Sequence, residues 1–179
     1  MAPSYIDIHK ALVDRCRKDD RKAQNELYHI YARPMYNVCM RIVNHVGEAE
    51  DILQESFIEA FRSIHDFRAD STFGAWLKKI VVNRSVNYLK KRKLKLLEDI
   101  PETAAVMYDN TDTAPTQWEV QKVHKAIQEL PDGYRLVLSL YLLEGYDHAE
   151  IAQILNISES TSKSQYNRAK AKVREQLMK

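Results

Sequence analysis

The side chains in this sequence best placed to do chemistry are hydrogen-bond donors, and they fall in two sets. Near the C-terminus, Lys163, Ser164, Asn167, Arg168 and Lys170 share one face of a segment with helical periodicity, opposite Tyr166, Ala169, Val173 and Leu177. Donors so arranged can reach base edges and phosphates in a DNA major groove. Earlier, the stretch from Ser71 to Leu97 carries eight Lys and Arg and no acid, with Asn83 and Asn87 one helical turn apart. Such a face suits a phosphate backbone, and its amides suit base edges. Just before it, HDFRADSTFGAW sets aromatic rings among small polar groups. That mixture holds single-stranded bases by stacking and edge hydrogen bonds. Within it, Phe73 and Trp76 read as core and not as stacking platforms.

A third set has the opposite sign. Glu48, Glu50, Asp51, Glu55 and Glu59 crowd one segment, with Asp51, Gln54 and Glu55 on one face at i, i+3 and i+4. These carboxylates would repel phosphate. No His, Ser or Cys set converges with them and no metal-ligand spacing accompanies them, so neither acid–base catalysis nor a cofactor is expected. A protein partner with basic side chains fits them better.

The elements that must position these groups are helical. Four glycines and five prolines, with no strand-like spacing of turn signals, favour an all-α protein. The spacing predicts a first helix over Tyr5 to Lys18. A second starts near Asp20 and buries Leu27, Ile30, Tyr31, Met35, Val38, Cys39 and Ile42, with Pro34 expected to kink or break it. VGEAEDILQESFIEAFRSI predicts a third, buried through Ile52, Leu53, Phe57, Ala60, Phe61 and Ile64. HDFRADST is a polar loop, and Thr72 is suited to cap a fourth helix running to Leu97.

Residues 97–116, LEDIPETAAVMYDNTDTAPT, are a linker by composition. Beyond it, QWEVQKVHKAIQEL and DGYRLVLSLYLLEG are helical, and Gly145 ends the latter. DHAEIAQILN opens with Asp147 and Glu150 at capping-box spacing, Ile157 points inward from a tight turn, and Ser158 caps the last helix. Helix, turn and polar-headed helix together make a helix-turn-helix. Extending the apolar stripe of the last helix backward lands on Ser162. Its hydroxyl is expected to bond a carbonyl one turn earlier, or a partner on the packed helix.

The expected organisation is therefore two small helical domains, 1–96 and 117–179, joined by a flexible acidic linker at 97–116. Charge follows it: residues 1–97 hold 18 Lys/Arg against 12 Asp/Glu, residues 98–119 six acids and no Lys/Arg, and residues 120–179 nine bases against seven acids. Two basic blocks around an acidic one suggest two nucleic-acid-facing modules. Cys16 and Cys39 form no C-x-x-C pair, which argues against a disulfide framework and for a reducing, cytoplasmic setting. The first residues lack the apolar run of a signal peptide, and no stretch approaches the ~20 apolar residues of a membrane span.

ELYHIYARPMYNVCMRIV, EAEDILQESFIEAF, FRADSTFGAWLKKIVVNRSVNYLKKRK and AIQELPDGYRLVLSLYLLEGYDHAEIAQILNISESTSKSQYNRAKAKVREQL, in that order, resemble the extracytoplasmic-function class of bacterial sigma factors. The resemblance implies a subunit that binds core RNA polymerase and directs it to promoters. Asp51, Gln54 and Glu55 match the positions that bind the clamp helices of the polymerase's largest subunit. Phe67, Arg68, Asp70, Ser71 and Thr72, with Lys79, Asn83 and Asn87, match the part that reads the −10 element as a single strand and captures a flipped base. Ser160, Lys163, Ser164, Asn167 and Arg168 match the reader of the double-stranded −35 element. The acidic linker matches a segment threaded toward the active centre and RNA exit channel. An anti-sigma factor is implied as a partner, and with it retention at the inner membrane. This sequence departs from many members at Ser162, where they carry an apolar residue, at Gln165, where they carry a basic one, and at Asn167, often bulky and apolar. The −35 preference therefore does not carry over.

Two other readings compete. A simple helix-turn-helix repressor or activator would bind duplex DNA as a dimer without polymerase, but it leaves the acidic linker and the loop with its basic helix unused. A nucleic-acid enzyme would need a metal constellation or a nucleophile–base pair, which the residues do not supply.

Overall fold

The structure, a computed structural model, describes residues 8–91 and 117–178. Among the described residues every regular element is helical and no strand occurs. The expected linker, the start of the first helix at Tyr5 and the run of the fourth helix to Leu97 lie outside them. The chain divides into two compact units, Met1–Tyr88 and Leu89–Lys179.

The first unit is built from α1 (Lys10–Cys16), α2 (Arg21–Val43), α3 (Val46–Arg62) and, as far as Tyr88, α4 (Phe73–Lys91), with a 3-10 turn at Ile64–Asp66. Asp20 caps α2 by accepting the amides of Lys22 at 2.9 Å and Ala23 at 3.2 Å. The Arg15 guanidinium bonds the same carboxylate at 2.8 Å and, with these amides, holds it below the usual range. Leu27, Met35, Val38, Cys39 and Ile42 of α2 are buried as their spacing predicts, but Ile30 is 40% exposed. Pro34 does not break α2, which is one helix through to Val43. Pro34 and Ile30 both face solvent, so the Ile30 carbonyl that loses its amide partner is close to water.

α3 buries Ile52, Leu53, Phe57 and Ala60 but stops at Arg62, two residues before the expected end. Ser63 donates its hydroxyl to the Glu59 carbonyl at 2.8 Å, and Ile64 is buried from the 3-10 turn that follows.

The second unit comprises α5 (Gln117–Gln128), α6 (Asp132–Leu138), α7 (His148–Leu155) and α8 (Glu159–Leu177). Ile127, Leu130, Tyr134, Leu138 and Ala169 form a buried cluster with Val123, Tyr166 and Val173 packed on it. Leu177, placed on the buried stripe by periodicity, is 42% exposed in the last turn of α8. Arg135 is 4% exposed; its Nη1 donates to the Leu130 carbonyl at 2.9 Å and its Nη2 pairs with Asp132, joining the end of α5 to the start of α6. After Leu138 the helix widens into a π turn at Ser139–Leu143, closed by the Glu144 amide on the Ser139 carbonyl at 3.0 Å. Gly145, at φ +78, ends the segment in the left-handed region. No atom lies within 4 Å of a Cβ added there, so the demand for glycine is conformational and not steric.

Candidate nucleic-acid and partner-binding interfaces

The helix-turn-helix is defined by its caps. The Asp147 carboxylate accepts the Glu150 amide at 2.8 Å while the Asp147 amide donates to Glu150 Oε2 at 2.9 Å, a full capping box on α7. Asn156, left-handed at φ 59, ends α7, and the Ile157 amide returns to the Ala152 carbonyl at 3.0 Å. Ser158 then accepts the Thr161 amide at 3.0 Å and starts α8.

Ser162 sets the phase of α8. It is fully buried, with Oγ 2.9 Å from His148 Nδ1 on α7, while Lys163 is exposed with Nζ 2.6 Å from Glu159. Of the two fates expected for this hydroxyl, the partner on the packed helix is the one observed. His148 is held in turn by Tyr141, stacked at 4.4 Å and 17°, and by Tyr166, edge-on at 5.6 Å. Tyr141 belongs to the π turn, so that widened segment supplies a ring to the junction between α7 and α8. Burial, and then the Lys163 charge, push His148 below its ordinary value of 6.5, which leaves it neutral at pH 7.

Of the residues expected to read the groove, Ser160, Lys163 and Asn167 are exposed, and Ser164 and Arg168 half-buried. Ser164 donates to the Thr161 carbonyl at 3.0 Å, so its hydroxyl is left mainly as an acceptor. Gln165 belongs to the interior: it is 2% exposed and its Oε1 has no partner. Its polarity hid it from a reading based on apolar periodicity.

On α4, Lys79, Asn83 and Asn87 are exposed at steps of four, while Phe73, Leu77 and Val81 are buried. The loop before α4 is anchored at both ends. Thr72 caps α4, its Oγ1 accepting the Ala75 amide at 3.2 Å. Phe67 is 4% exposed and packs against Trp76 at 5.3 Å and Phe73 at 6.0 Å. Phe67 was expected to face DNA and is corrected: its side chain is committed to the fold and offers no ring to a base. Thr72 caps α4 as expected and stays half-exposed. Phe73 and Trp76 form part of this inward cluster, as their reading as core requires. Arg68 and Asp70 are exposed at the tip and Ser71 half-buried.

Asp51, Gln54 and Glu55 are exposed together on α3. Arg84 of α4 places Nη1 2.5 Å from Glu55 and Nε 2.5 Å from Glu59. The sequence reading counted Arg84 with the basic helix and missed that it faces α3. Among the described residues no group of three or more His, Cys, Asp and Glu could hold a metal ion, and no helix is long and apolar enough to cross a membrane.

The described residues thus combine a helix-turn-helix, a second exposed polar stripe on a basic helix and an acidic helix face. Comparison with known proteins supplies the family. The family profile Sigma-70 region 2 matches residues 27–95, and Sigma-70, region 4 matches residues 120–173. The chain is 34% identical to the ECF RNA polymerase sigma-E factor of Haemophilus influenzae, over 95% of its own length and 94% of that protein's. It is 29% identical to the ECF RNA polymerase sigma factor SigW of Bacillus subtilis, over 94% and 96% of the two lengths. Its fold is shared with the sigma factor RpoE solved in complex with the anti-sigma factor NepR from Bartonella quintana, at TM-score 0.57, 21% identity and coverage of 86% and 96%. CnrH, solved with the cytosolic domain of CnrY, matches at TM-score 0.55, 21% identity and coverage of 94% and 96%. The chain belongs to the extracytoplasmic-function sigma factors of RNA polymerase. It is a subunit that binds core RNA polymerase and directs promoter recognition and opening in transcription initiation.

Proposed function

We propose a division of labour among three surfaces. Asp51, Gln54 and Glu55 of α3 dock on the clamp helices of the polymerase's largest subunit. The tip of the loop at Arg68, Asp70 and Ser71, with Lys79, Asn83 and Asn87 of α4, takes the single-stranded −10 element. Ser160, Lys163, Ser164, Asn167 and Arg168 of α8 read the double-stranded −35 element. The acidic stretch 97–116 joins a domain at 1–96 to one at 117–179 and follows a cationic path in the polymerase. An anti-sigma factor holds the protein in check in the cytoplasm, or at the inner membrane where that factor is itself anchored. One solved structure of shared fold supports this, since that sigma factor was captured with the anti-sigma factor NepR.

One observation carries the assignment: every exposed polar stripe lies opposite a buried one, and Ser162 fixes which residues of α8 point outward. Phe67 and Thr72 anchor the two ends of the loop, and Thr72, half-exposed, stays with the −10 set while buried Phe67 does not.

The test is transcription reconstituted with core polymerase, followed by promoter mapping. Absence of any promoter-specific transcript would refute the assignment of the DNA surfaces. Asp51→Arg is expected to weaken core binding at least tenfold, by about 1.4 kcal/mol or more, through charge reversal at a protein interface. It should leave −35 duplex binding unchanged. Equal core affinity would remove α3 from the interface.

A further inference from the structure

We infer that Arg17, which follows α1, is a positioning residue for the loop that takes the −10 strand. Arg17 lies outside the residues matched by the Sigma-70 region 2 profile, which begins at residue 27. Its Nη2 donates to the Phe67 carbonyl at 2.5 Å, and its guanidinium carbon lies 6.0 Å from the centre of the Phe67 ring. Its Nη1 is held 3.2 Å from Asp14 Oδ1, so one planar group spans α1 and the start of the loop. The Phe67 amide makes only a long contact with Ile64, at 3.4 Å, so Arg17 supplies the short bond at this end.

The other end is fixed by Thr72 as the cap of α4. Between the two anchors, Ala69 stands at φ 60, where residues other than glycine are uncommon. A chain persists in such a conformation when its surroundings over-determine it. The anchored ends are those surroundings, and they present Arg68, Asp70 and Ser71 in one arrangement before DNA arrives. Arg17 therefore favours strand capture by lowering the ordering cost of the loop, and it touches no base itself.

The inference rests on the proposed role of this loop in −10 recognition, and the test separates the two. Full-length variants are combined with core polymerase on a promoter mapped with the wild-type protein. Core affinity, affinity for a single-stranded non-template −10 oligonucleotide and permanganate reactivity of unpaired thymines are measured. Arg17→Ala should lower oligonucleotide affinity and opening about fivefold, the scale of one ordering cost, with core affinity unchanged. Arg17→Lys, with a point charge in place of the fork, should recover part of the loss. Ala69→Gly accommodates the left-handed backbone without strain yet loosens the loop, so it should lower opening with no loss of folding.

If Arg17→Ala and Ala69→Gly both open like wild type while Asp70→Ala fails, the inference is wrong and the loop's role stands. If Asp70→Ala, Asn83→Ala and Asn87→Ala also open normally, the −10 assignment falls and the inference with it. If Arg17→Ala does not fold, Ala69→Gly decides alone: wild-type opening overturns the inference.

Discussion

Replacing Gly74 with alanine puts a methyl group where the Tyr31 ring stands. A Cβ at residue 74 would lie 2.6 Å from Tyr31 Cε1 and 3.3 Å from its Cζ, against ~3.5–4.0 Å for unstrained carbon pairs. The ring cannot simply swing away. Its hydroxyl is 2.8 Å from His9 Nδ1, and its centre lies 5.4 Å from Phe73 of α4. Overpacking of this kind costs ~1–3 kcal/mol. Alanine returns at most ~1 kcal/mol of helix propensity, and less in the first turn of α4 where residue 74 lies. The net expectation is a loss of about 1–2 kcal/mol in the first unit, or amide exchange 5- to 30-fold faster across the slowest segments of α2 and α4. Hydrogen exchange with mass spectrometry on the full-length protein reads this locally, which a single melting curve of a two-unit chain would not. The diagnostic comparison is a cycle with Tyr31→Leu, which removes the obstructing ring. On that background Gly74→Ala should be neutral or mildly stabilising, a coupling of about 2 kcal/mol. A Gly74→Ala protein more stable than wild type, or the same loss on both backgrounds, would refute the steric argument.

The remaining predictions concern single groups. Ser162→Val leaves His148 Nδ1 without its partner, so the second unit should lose about 1 kcal/mol and bind its −35 duplex less selectively. Ser162→Thr, which keeps the hydroxyl, should retain both. His148 is depressed below 6.5 in the folded protein, so the unfolded chain takes up its proton first as pH falls. Stability of the second unit should therefore drop as pH falls below about 6.5, and His148→Asn should flatten that slope in exchange measurements; an unchanged slope would exclude His148 as its source. Burial pushes the Cys16 and Cys39 thiols up to about 11, so a thiol reagent should label them only as fast as the fold opens, and immediate labelling of the native protein would contradict their burial.

What was legible in the sequence was local. Asp147, Ser158 and Thr72 were readable as caps because a cap bonds amides two or three residues away. The apolar stripes of α2 and α3 were readable because helical neighbours are three and four apart. Misplaced residues depended on contacts across the fold. Phe67 looked like an available ring because nothing in HDFRADST announces Phe73 and Trp76 as its packing partners. Gln165 and Arg135 are buried polar groups, which hydrophobic periodicity cannot assign. The π turn escaped because SLYLL has the same apolar pattern whether the helix makes bonds at i+4 or i+5. Ser162 is the instructive success: angular placement put a polar residue on the buried face, and the structure supplies His148 to satisfy it.

Charge totals point to the right surfaces and misstate their strength. The excess of bases in residues 1–97 includes Arg15, Arg17 and Arg84, yet these are paired with Asp20, Asp14, Glu55 and Glu59 at 2.5–3.2 Å. Opposite charges this close largely cancel beyond a Debye length of about 8 Å at physiological salt. Arg84 therefore adds little to the field that DNA would meet on α4, although it is one residue from Asn83. It tempers the acidic face of α3 instead, where it neutralises part of what Glu55 and Glu59 offer a basic partner. On the face of α4 proposed to meet DNA, the exposed stripe then runs Lys79, Asn83, Asn87 and Lys91, with Lys90 exposed beside it. A phosphate contact positions without discriminating, whereas an asparagine amide can pair with a base edge. The α4 surface thus sets two amides able to choose among bases between cations able to grip the backbone, and the withdrawal of Arg84 from it comes from ion pairs that the linear charge count could not show.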